Sequence, residues 1–95
     1  MMSNLKKERK IIFEPTARDE YNWWKANDQA GVDRIKALIK DIKVHPFTGI
    51  GKPEPLKHQR QGYWSRRINK IDRLVYKVTD EAIVVISCRH HYAEY

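Results

Sequence analysis

The chain has 95 residues, a formal net charge of +7 and a sequence pI of about 9.7. This length allows one domain with a modest core, and an apolar fraction of 41% argues against a disordered chain. A single cysteine cannot form an internal disulfide, and no apolar run approaches the roughly 18–20 residues that span a bilayer. The first ten residues lack the apolar segment of a signal peptide. We therefore expect a cytoplasmic protein with no membrane partner, whose basic surface attracts a polyanion.

The N-terminal half predicts one strand and two antiparallel helices. We expect residues 1–9 to be a flexible extension and residues 10–95 to form the single domain, which opens with a β-like run at Lys10–Phe13. A helix is expected from Thr16 to about Ala26, and a second one after a break at residues 27–31. The predicted core faces are Ala17, Tyr21 and Trp24 in the first helix, and Ile35, Leu38, Ile39 and Ile42 in the second.

The C-terminal half changes to strand composition. Residues 46–62 hold three of the four prolines and three of the four glycines, which predicts a structured loop, with a further short strand near Leu56. Three runs follow at hairpin-like spacing, at Tyr63–Asn69, Leu74–Thr79 and Ala82–Cys88, and they predict an antiparallel meander. The expected fold class is α+β, with two N-terminal helices packed on a small twisted antiparallel β-sheet.

Positive charge is concentrated in one stretch of the chain. Between residues 52 and 77, eight basic residues face only Glu54 and Asp72, which gives this stretch a net charge of +6. The basic residues are Lys52, Lys57, Arg60, Arg66, Arg67, Lys70, Arg73 and Lys77. Tyr63 and Trp64 lie among them, and cations interleaved with aromatic rings are typical of a surface that binds single-stranded nucleic acid. A solvated strand face with core aromatics explains the same composition equally well.

An RNA-cleaving site needs three groups and neither a metal nor a cofactor. A base takes the proton of a ribose 2′-OH, an acid protonates the departing 5′ oxygen, and a fixed cation stabilises the phosphoryl charge. Glu54 is a carboxylate within the most basic loop, and His91 follows the last predicted strand. Strand alternation would gather Arg73, Arg89 and His91 on the face of the sheet away from Leu74. By themselves, paired histidines are more often a surface feature or a weak metal site, and a lone glutamate is usually a solvated charge.

A family resemblance separates these alternatives. Four ordered blocks carry it, namely Gly51–His58 (GKPEPLKH), Gly62–Ile68 (GYWSRRI), Asp72–Tyr76 (DRLVY) and Cys88–Tyr92 (CRHHY). Together with the second helix and the loop after it, they resemble the Txe/YoeB toxins of the RelE/ParE toxin–antitoxin superfamily over residues 10–92. The resemblance implies a RelE-like fold and ribosome-dependent cleavage of mRNA in the A site, which gives a 2′,3′-cyclic phosphate and a 5′-hydroxyl end.

The same resemblance implies a role for individual residues. Glu54 matches the general base, His91 the general acid and Arg73 the cation that stabilises the transition state, while Lys57 and Tyr92 match supporting positions. Together with the basic residues around them, the expected RNA- or phosphate-binding set is Lys52, Lys57, Arg66, Arg67, Arg89 and Tyr92. His90 replaces a usual aromatic residue, so a second imidazole is a candidate to share the acid role. No metal or cofactor is implied.

The resemblance also implies partners and leaves alternatives. We expect mRNA on the ribosome, an acidic antitoxin whose carboxylates pair with Arg66, Arg67 and Arg73, and operator DNA only as a toxin–antitoxin complex; a homodimer is left open. The main alternative is a non-cleaving ParE-like toxin that binds and inhibits DNA gyrase, and an inactive binding homologue is a second. A DNA-binding transcription factor is disfavoured because neither a helix-turn-helix nor a zinc pattern occurs.

Overall fold

Two helices pack against one face of a five-stranded sheet, which confirms the predicted α+β class. The computed structural model describes residues 8–58 and 61–90. In chain order the elements are β1 (Lys10–Phe13), α1 (Pro15–Asn27), α2 (Gln29–Val44), β2 (Glu54–Pro55), β3 (Trp64–Arg67), β4 (Arg73–Val78) and β5 (Ala82–Ser87). The first strand, both helices and the three C-terminal strands were all predicted from the sequence, and β2 is the further short strand expected near Leu56.

The sheet has the strand order β1-β5-β4-β3-β2. Strands β2 to β5 pair antiparallel, as the hairpin spacings predicted, whereas β1 pairs parallel to β5, with Lys10 opposite Ala82 and Phe13 opposite Val85. The parallel edge makes the sheet mixed rather than wholly antiparallel. Strands β1 and β5 lie some seventy residues apart in the chain, so no turn in the sequence indicates that they pair.

The connection between the helices is shorter than predicted. Only Asp28 separates α1 from α2, and its carboxylate caps α2 by accepting a hydrogen bond from the Gly31 N–H at 3.0 Å. Gly31 therefore lies inside the first turn of α2, so the predicted break at residues 27–31 was too long. A Cβ on Gly31 would come within 2.0 Å of the Trp24 ring, so the glycine marks a close approach of two helices and not a loop.

The core lies between the helices and the sheet. The predicted apolar faces are confirmed, since Ala17, Trp24, Ile35, Leu38 and Ile42 are all buried against the strands, with Tyr21 and Ile39 partly buried at the margin. On the sheet side, the core contains Leu74, Tyr76, Ile83 and Val85. Trp64 also packs against this core, with its ring 4.9 Å from that of Phe47, so the core interpretation of this aromatic is the correct one.

The predicted N-terminal extension over residues 1–9 lies outside the described residues, apart from its last two members. Glu8 forms an ion pair with Lys43 at 3.6 Å, and the Arg9 Nε donates to the Thr79 carbonyl at 2.8 Å. Neither helix of the described chain is long and apolar enough to cross a membrane.

Candidate active site

The face of the sheet away from the helices carries three of the predicted site residues. Glu54 on β2 is directly opposite Ser65 on β3, and Ser65 is opposite Val75 on β4. Arg67 and Arg73 are also directly opposite each other, two residues farther along the same strands. Opposed residues point to the same side of a sheet, and so do residues two apart. We call this side, with Glu54, Arg67 and Arg73, the open face.

Sheet geometry sets the separation of these side chains. Glu54 lies on β2 and Arg73 on β4, so their backbones are two strand spacings, or about 10 Å, apart across the sheet. Arg73 is two residues from Val75, the β4 residue level with Glu54, which adds about 7 Å along the strands. Glu54 and Arg67 are exposed and Arg73 is half-buried. A carboxylate and two long guanidinium side chains at this spacing can reach the ribose and the phosphate of one nucleotide.

Arg73 is held in place by the turn that precedes it. Its Nη1 donates to the carbonyls of Asn69 at 3.1 Å, Asp72 at 3.3 Å and Lys70 at 3.4 Å. Its Nε and Nη2 make no hydrogen bond within the described part of the chain. The guanidinium is thus anchored along one edge, and its other nitrogens remain free to donate to an anion.

The backbone of Arg73 also fixes the segment that leads to His91. The Arg73 N–H donates to the His90 carbonyl at 3.1 Å, and the His90 N–H donates to the Asp72 carboxylate at 2.6 Å. His90 has a φ of 76°, in the left-handed region. His91 and Tyr92 themselves lie outside the described residues.

Helix α1 holds the residue at the end of β5 through its own side chains. The Cys88 N–H donates to the Glu20 carboxylate at 2.7 Å, and the Cys88 carbonyl accepts from the Trp24 indole at 2.7 Å. Burial raises the pKa of Glu20. Next along the chain, the Arg89 guanidinium lies 3.5 Å from the centre of the Trp23 ring of α1.

The structure corrects the predicted position of Arg89. Strand alternation predicted it on the open face with Arg73, but β5 ends at Ser87 and its neighbour His90 adopts a positive φ. Alternation therefore does not extend through residues 88–90, and the Arg89 guanidinium instead packs on a ring of α1, on the helical side of the sheet.

Arg66 is the second correction. It was predicted to bind RNA and to pair with an antitoxin, but its side chain is fully buried and lies on the helical side. Its guanidinium is saturated by five acceptors, namely the Asp41 carboxylate, the Tyr76 hydroxyl and the carbonyls of His45, Thr48 and Ile50. No surface of this side chain is left for a phosphate.

Two lysines flank Glu54 in the chain. Lys52 and Lys57 are both exposed, and Lys52 has a φ of 55° where the loop turns into β2. Beyond β2, the Leu56 N–H continues the pairing to β3 by donating to the Tyr63 carbonyl at 2.8 Å. The Lys77 ammonium lies 5.8 Å from the centre of the Tyr63 ring, so this aromatic belongs to the basic open face.

Sequence reasoning missed three carboxylates that support these residues: Asp41, Glu20 and Asp72. A signal existed for Asp41, because it lies three residues after Leu38 and next to Ile42, within the apolar stripe of α2. An acid at that position predicts a buried basic partner. Glu20 and Asp72 accept from backbone N–H groups far along the chain, which no local pattern indicates.

Comparison with known proteins gives the family. Residues 13–92 match the family described as YoeB-like toxin of bacterial type II toxin–antitoxin systems. The toxin YoeB of Escherichia coli (strain K12) is 48% identical over 83 residues, which are 87% of this chain and 99% of that protein.

Solved structures agree. The YoeB dimer from Staphylococcus aureus has a TM-score of 0.86 and 44% identity, covering 90% of this chain and 99% of its own. The YoeB–YefM complex from the same species has a TM-score of 0.82 and 44% identity, covering 88% and 98%. The chain therefore belongs to the YoeB-like family and is the toxin of a type II toxin–antitoxin system.

Proposed function

We propose that this toxin is an endoribonuclease that cleaves mRNA in the A site of the ribosome. The observation that carries the proposal is the open face, where Arg67 and Arg73 are directly opposite each other and Glu54 lies on the neighbouring strand. Neither arginine forms an ion pair with any residue in the ranges 8–58 and 61–90. Like charges opposite each other destabilise a sheet, and a phosphate bound between them would remove this cost.

The proposed reaction is a transesterification in which the downstream RNA is the leaving group. Glu54 takes the proton of the ribose 2′-OH, whose oxygen attacks the adjacent phosphorus and forms a 2′,3′-cyclic phosphate. The P–O bond to the 5′ oxygen breaks, and His91 protonates this oxygen to give a 5′-hydroxyl end. Arg73 stabilises the charge that develops on the phosphoryl oxygens. No metal or cofactor takes part in the scheme.

The remaining basic residues would bind the RNA around the scissile phosphate. We assign this role to Lys52, Lys57 and Arg67, which are exposed near Glu54, and a supporting role to Tyr92. His90 keeps its proposed second role as an alternative acid, because its backbone is bonded to both Asp72 and Arg73. Such a reaction takes place in the cytoplasm, where the ribosomes are.

The partners follow from the same surface. The Staphylococcus aureus relative forms a complex with YefM, and we propose that an acidic antitoxin of this chain covers the open face. Its carboxylates would pair with Arg67 and Arg73, since Arg66 is buried. We propose that the complex, and not the toxin alone, binds operator DNA. From the dimeric relative we infer that this chain also assembles as a homodimer.

Single-turnover cleavage on ribosomes programmed with a defined mRNA tests the two proton-transfer groups. Glu54→Ala and His91→Ala should each reduce the rate by about 10²–10⁴-fold with the fold intact. Glu81→Ala, which removes an exposed carboxylate from the turn between β4 and β5, is the matched control and should cleave normally. Wild-type rates in Glu54→Ala and His91→Ala would remove both residues from the mechanism.

A gyrase supercoiling assay, run in parallel, tests the alternative that this chain is a ParE-like gyrase inhibitor. No feature of the described residues favours it. Inhibition of gyrase supercoiling at stoichiometric toxin, with ribosome-bound mRNA left intact, would replace the nuclease proposal by gyrase binding.

Arg73 has a separate test. Its free nitrogens should contact the phosphate more strongly as negative charge develops, so Arg73→Ala should slow the chemical step more than it weakens binding to the ribosome. Arg73→Lys should restore the rate only partly, because lysine supplies charge without the planar fork. A variant that binds poorly but cleaves at the normal rate at saturation would show that Arg73 only anchors the RNA.

A further inference from the structure

The loop between α2 and β2 is organised around a single buried side chain. We call residues 45–53 the α2–β2 loop; it contains no helix or strand. Three of its carbonyls, at His45, Thr48 and Ile50, turn inward and accept hydrogen bonds from the Arg66 guanidinium. A fourth, at Pro46, accepts from the Tyr76 hydroxyl at 2.8 Å. The loop thus depends on β3 and β4 for hydrogen bonds that a regular element would make within itself.

Asp41 connects α2 to the Arg66 guanidinium and the loop carbonyls that it binds, which we call the hub. One carboxylate oxygen accepts from the Arg66 Nη1 at 2.6 Å and from the Ile50 N–H at 3.1 Å. The acid therefore neutralises the buried guanidinium and also holds the middle of the α2–β2 loop. Arg66 is fully buried, whereas the Asp41 side chain keeps 22% of its surface exposed at the mouth of the hub.

Two glycines let the loop close on the hub. Gly49 has a φ of 115°, and a Cβ there would lie 1.9 Å from the Asp41 carboxylate. Gly51 has a φ of 80°, and its carbonyl accepts from the Arg67 N–H at 2.7 Å, which ties the end of the loop to β3. Glu54 follows three residues later. The first half of the loop is also held by the Phe47 ring on Trp64 and by the Pro46 carbonyl on Tyr76, whereas Asp41, Arg66 and the Gly51 carbonyl hold the half that leads to Glu54.

We propose that Asp41 and Arg66 act as a positioning pair for Glu54, holding the α2–β2 loop so that this carboxylate is presented to the RNA at the correct height on the open face. The inference rests on the proposed nuclease function. Neither residue touches the RNA in this account. Their effect on cleavage passes through the placement of Glu54, and a misplacement of a catalytic group by about 1 Å is sufficient to cost about 10²-fold in rate.

The test is Asp41→Asn, with Asp33→Asn as the matched control on the same helix. An asparagine oxygen can still accept from Arg66 and Ile50, so the variant should fold, but the charge that draws the guanidinium to Asp41 is lost. Asp33 is exposed, and within residues 8–58 and 61–90 its carboxylate accepts only from the Gln29 side chain, at 3.0 Å. We expect Asp41→Asn to lower kcat on programmed ribosomes by about 10–100-fold with KM changed by less than about 3-fold, and Asp33→Asn to change neither.

A double-mutant cycle separates positioning from a general structural role. If Asp41 acts through Glu54, then Asp41→Asn should reduce the residual rate of Glu54→Ala by less than about 3-fold, because the group it positions is already absent. In an Arg73→Ala background its full effect should persist. An equal loss in the wild-type and Glu54→Ala backgrounds would overturn the inference.

Amide hydrogen exchange tests the inference without relying on cleavage. The Ile50 and Arg67 N–H groups, which attach the loop to Asp41 and β3, should exchange at least about 10-fold faster in Asp41→Asn than in Asp33→Asn. Equal exchange in the two variants would overturn the inference even if the toxin cleaves mRNA. Absence of cleavage by the wild-type toxin, with the exchange difference present, would instead refute the nuclease function and leave the role of Asp41 in the loop.

Discussion

Replacement of Arg66 by methionine should destabilise the fold severely. The change keeps most of the aliphatic side chain but removes a guanidinium that serves five acceptors. Asp41 loses its ionic partner and three loop carbonyls lose their donor. Removing one partner of a buried ion pair costs about 3–5 kcal/mol. A domain of this length has a total stability of about 5–14 kcal/mol, so the loss is a large part of the whole.

Thermal unfolding followed by far-UV circular dichroism measures this loss. For a small domain each kcal/mol lowers Tm by about 4–8 °C, so Arg66→Met should melt at least about 12 °C below wild type. Arg67→Met is the matched control, because the next residue along β3 has the same side chain with the guanidinium exposed. Its stability should stay within about 0.5 kcal/mol of wild type. Melting points of the two variants within about 4 °C of each other would refute the burial argument.

Three further predictions concern single groups. The hydrogen bond from Arg66 lowers the pKa of Asp41, so the ionised carboxylate stabilises the fold fully above the ordinary aspartate pKa of about 4, and this stabilisation is lost as the pH falls through the lowered pKa. In urea titrations from pH 5 to pH 2, the wild type should lose more free energy of unfolding than Asp41→Asn, and an equal loss in the two proteins would contradict this. Burial raises the pKa of the Cys88 thiol to about 12, so only about one thiol in 10⁴ is ionised at pH 8. Iodoacetamide should therefore label Cys88 in the unfolded protein and not in the native protein, and rapid labelling of the native protein would show that the thiol is accessible. Gly49→Ala should cost about 1–3 kcal/mol from strain at positive φ and more from the contact with Asp41. Gly62 has a φ of 95°, but no described residue lies within 4 Å of an added Cβ, so equal losses of stability in Gly49→Ala and Gly62→Ala would exclude the contact.

The elements with a regular pattern were predictable from the sequence. The apolar stripe of α2 identified Leu38 and Ile42 as core residues, because a helix repeats every 3.6 residues and only one face meets the sheet. The three C-terminal strands followed from alternation and short turns. Glu54 and Arg73 were placed as candidates by a family resemblance, and the strand register then put them on one face of the sheet.

The features that were not predictable depend on contacts between distant parts of the chain. Strand alternation puts Arg66 and Arg67 on opposite sides of β3, but it does not show that the acceptors of Arg66 come from Asp41 and from carbonyls of the α2–β2 loop, which together bury its guanidinium. The parallel pairing of β1 has no local signal. Gly31 was interpreted as part of a break because the sequence does not show that the Trp24 ring packs against this position of α2 and leaves room only for a glycine.

The chemistry of the cleaved ends tests the central claim most directly. Purified toxin is incubated with end-labelled mRNA, alone or on programmed ribosomes, and the termini are identified by their response to polynucleotide kinase and phosphatase. The nuclease proposal predicts a cut in the A-site codon only when ribosomes are present, with a 5′-hydroxyl on one fragment and a 2′,3′-cyclic phosphate on the other. With Glu54→Ala the same cut should form about 10²–10⁴-fold more slowly. Intact mRNA on ribosomes, or fragments with 5′-phosphate ends, would contradict it.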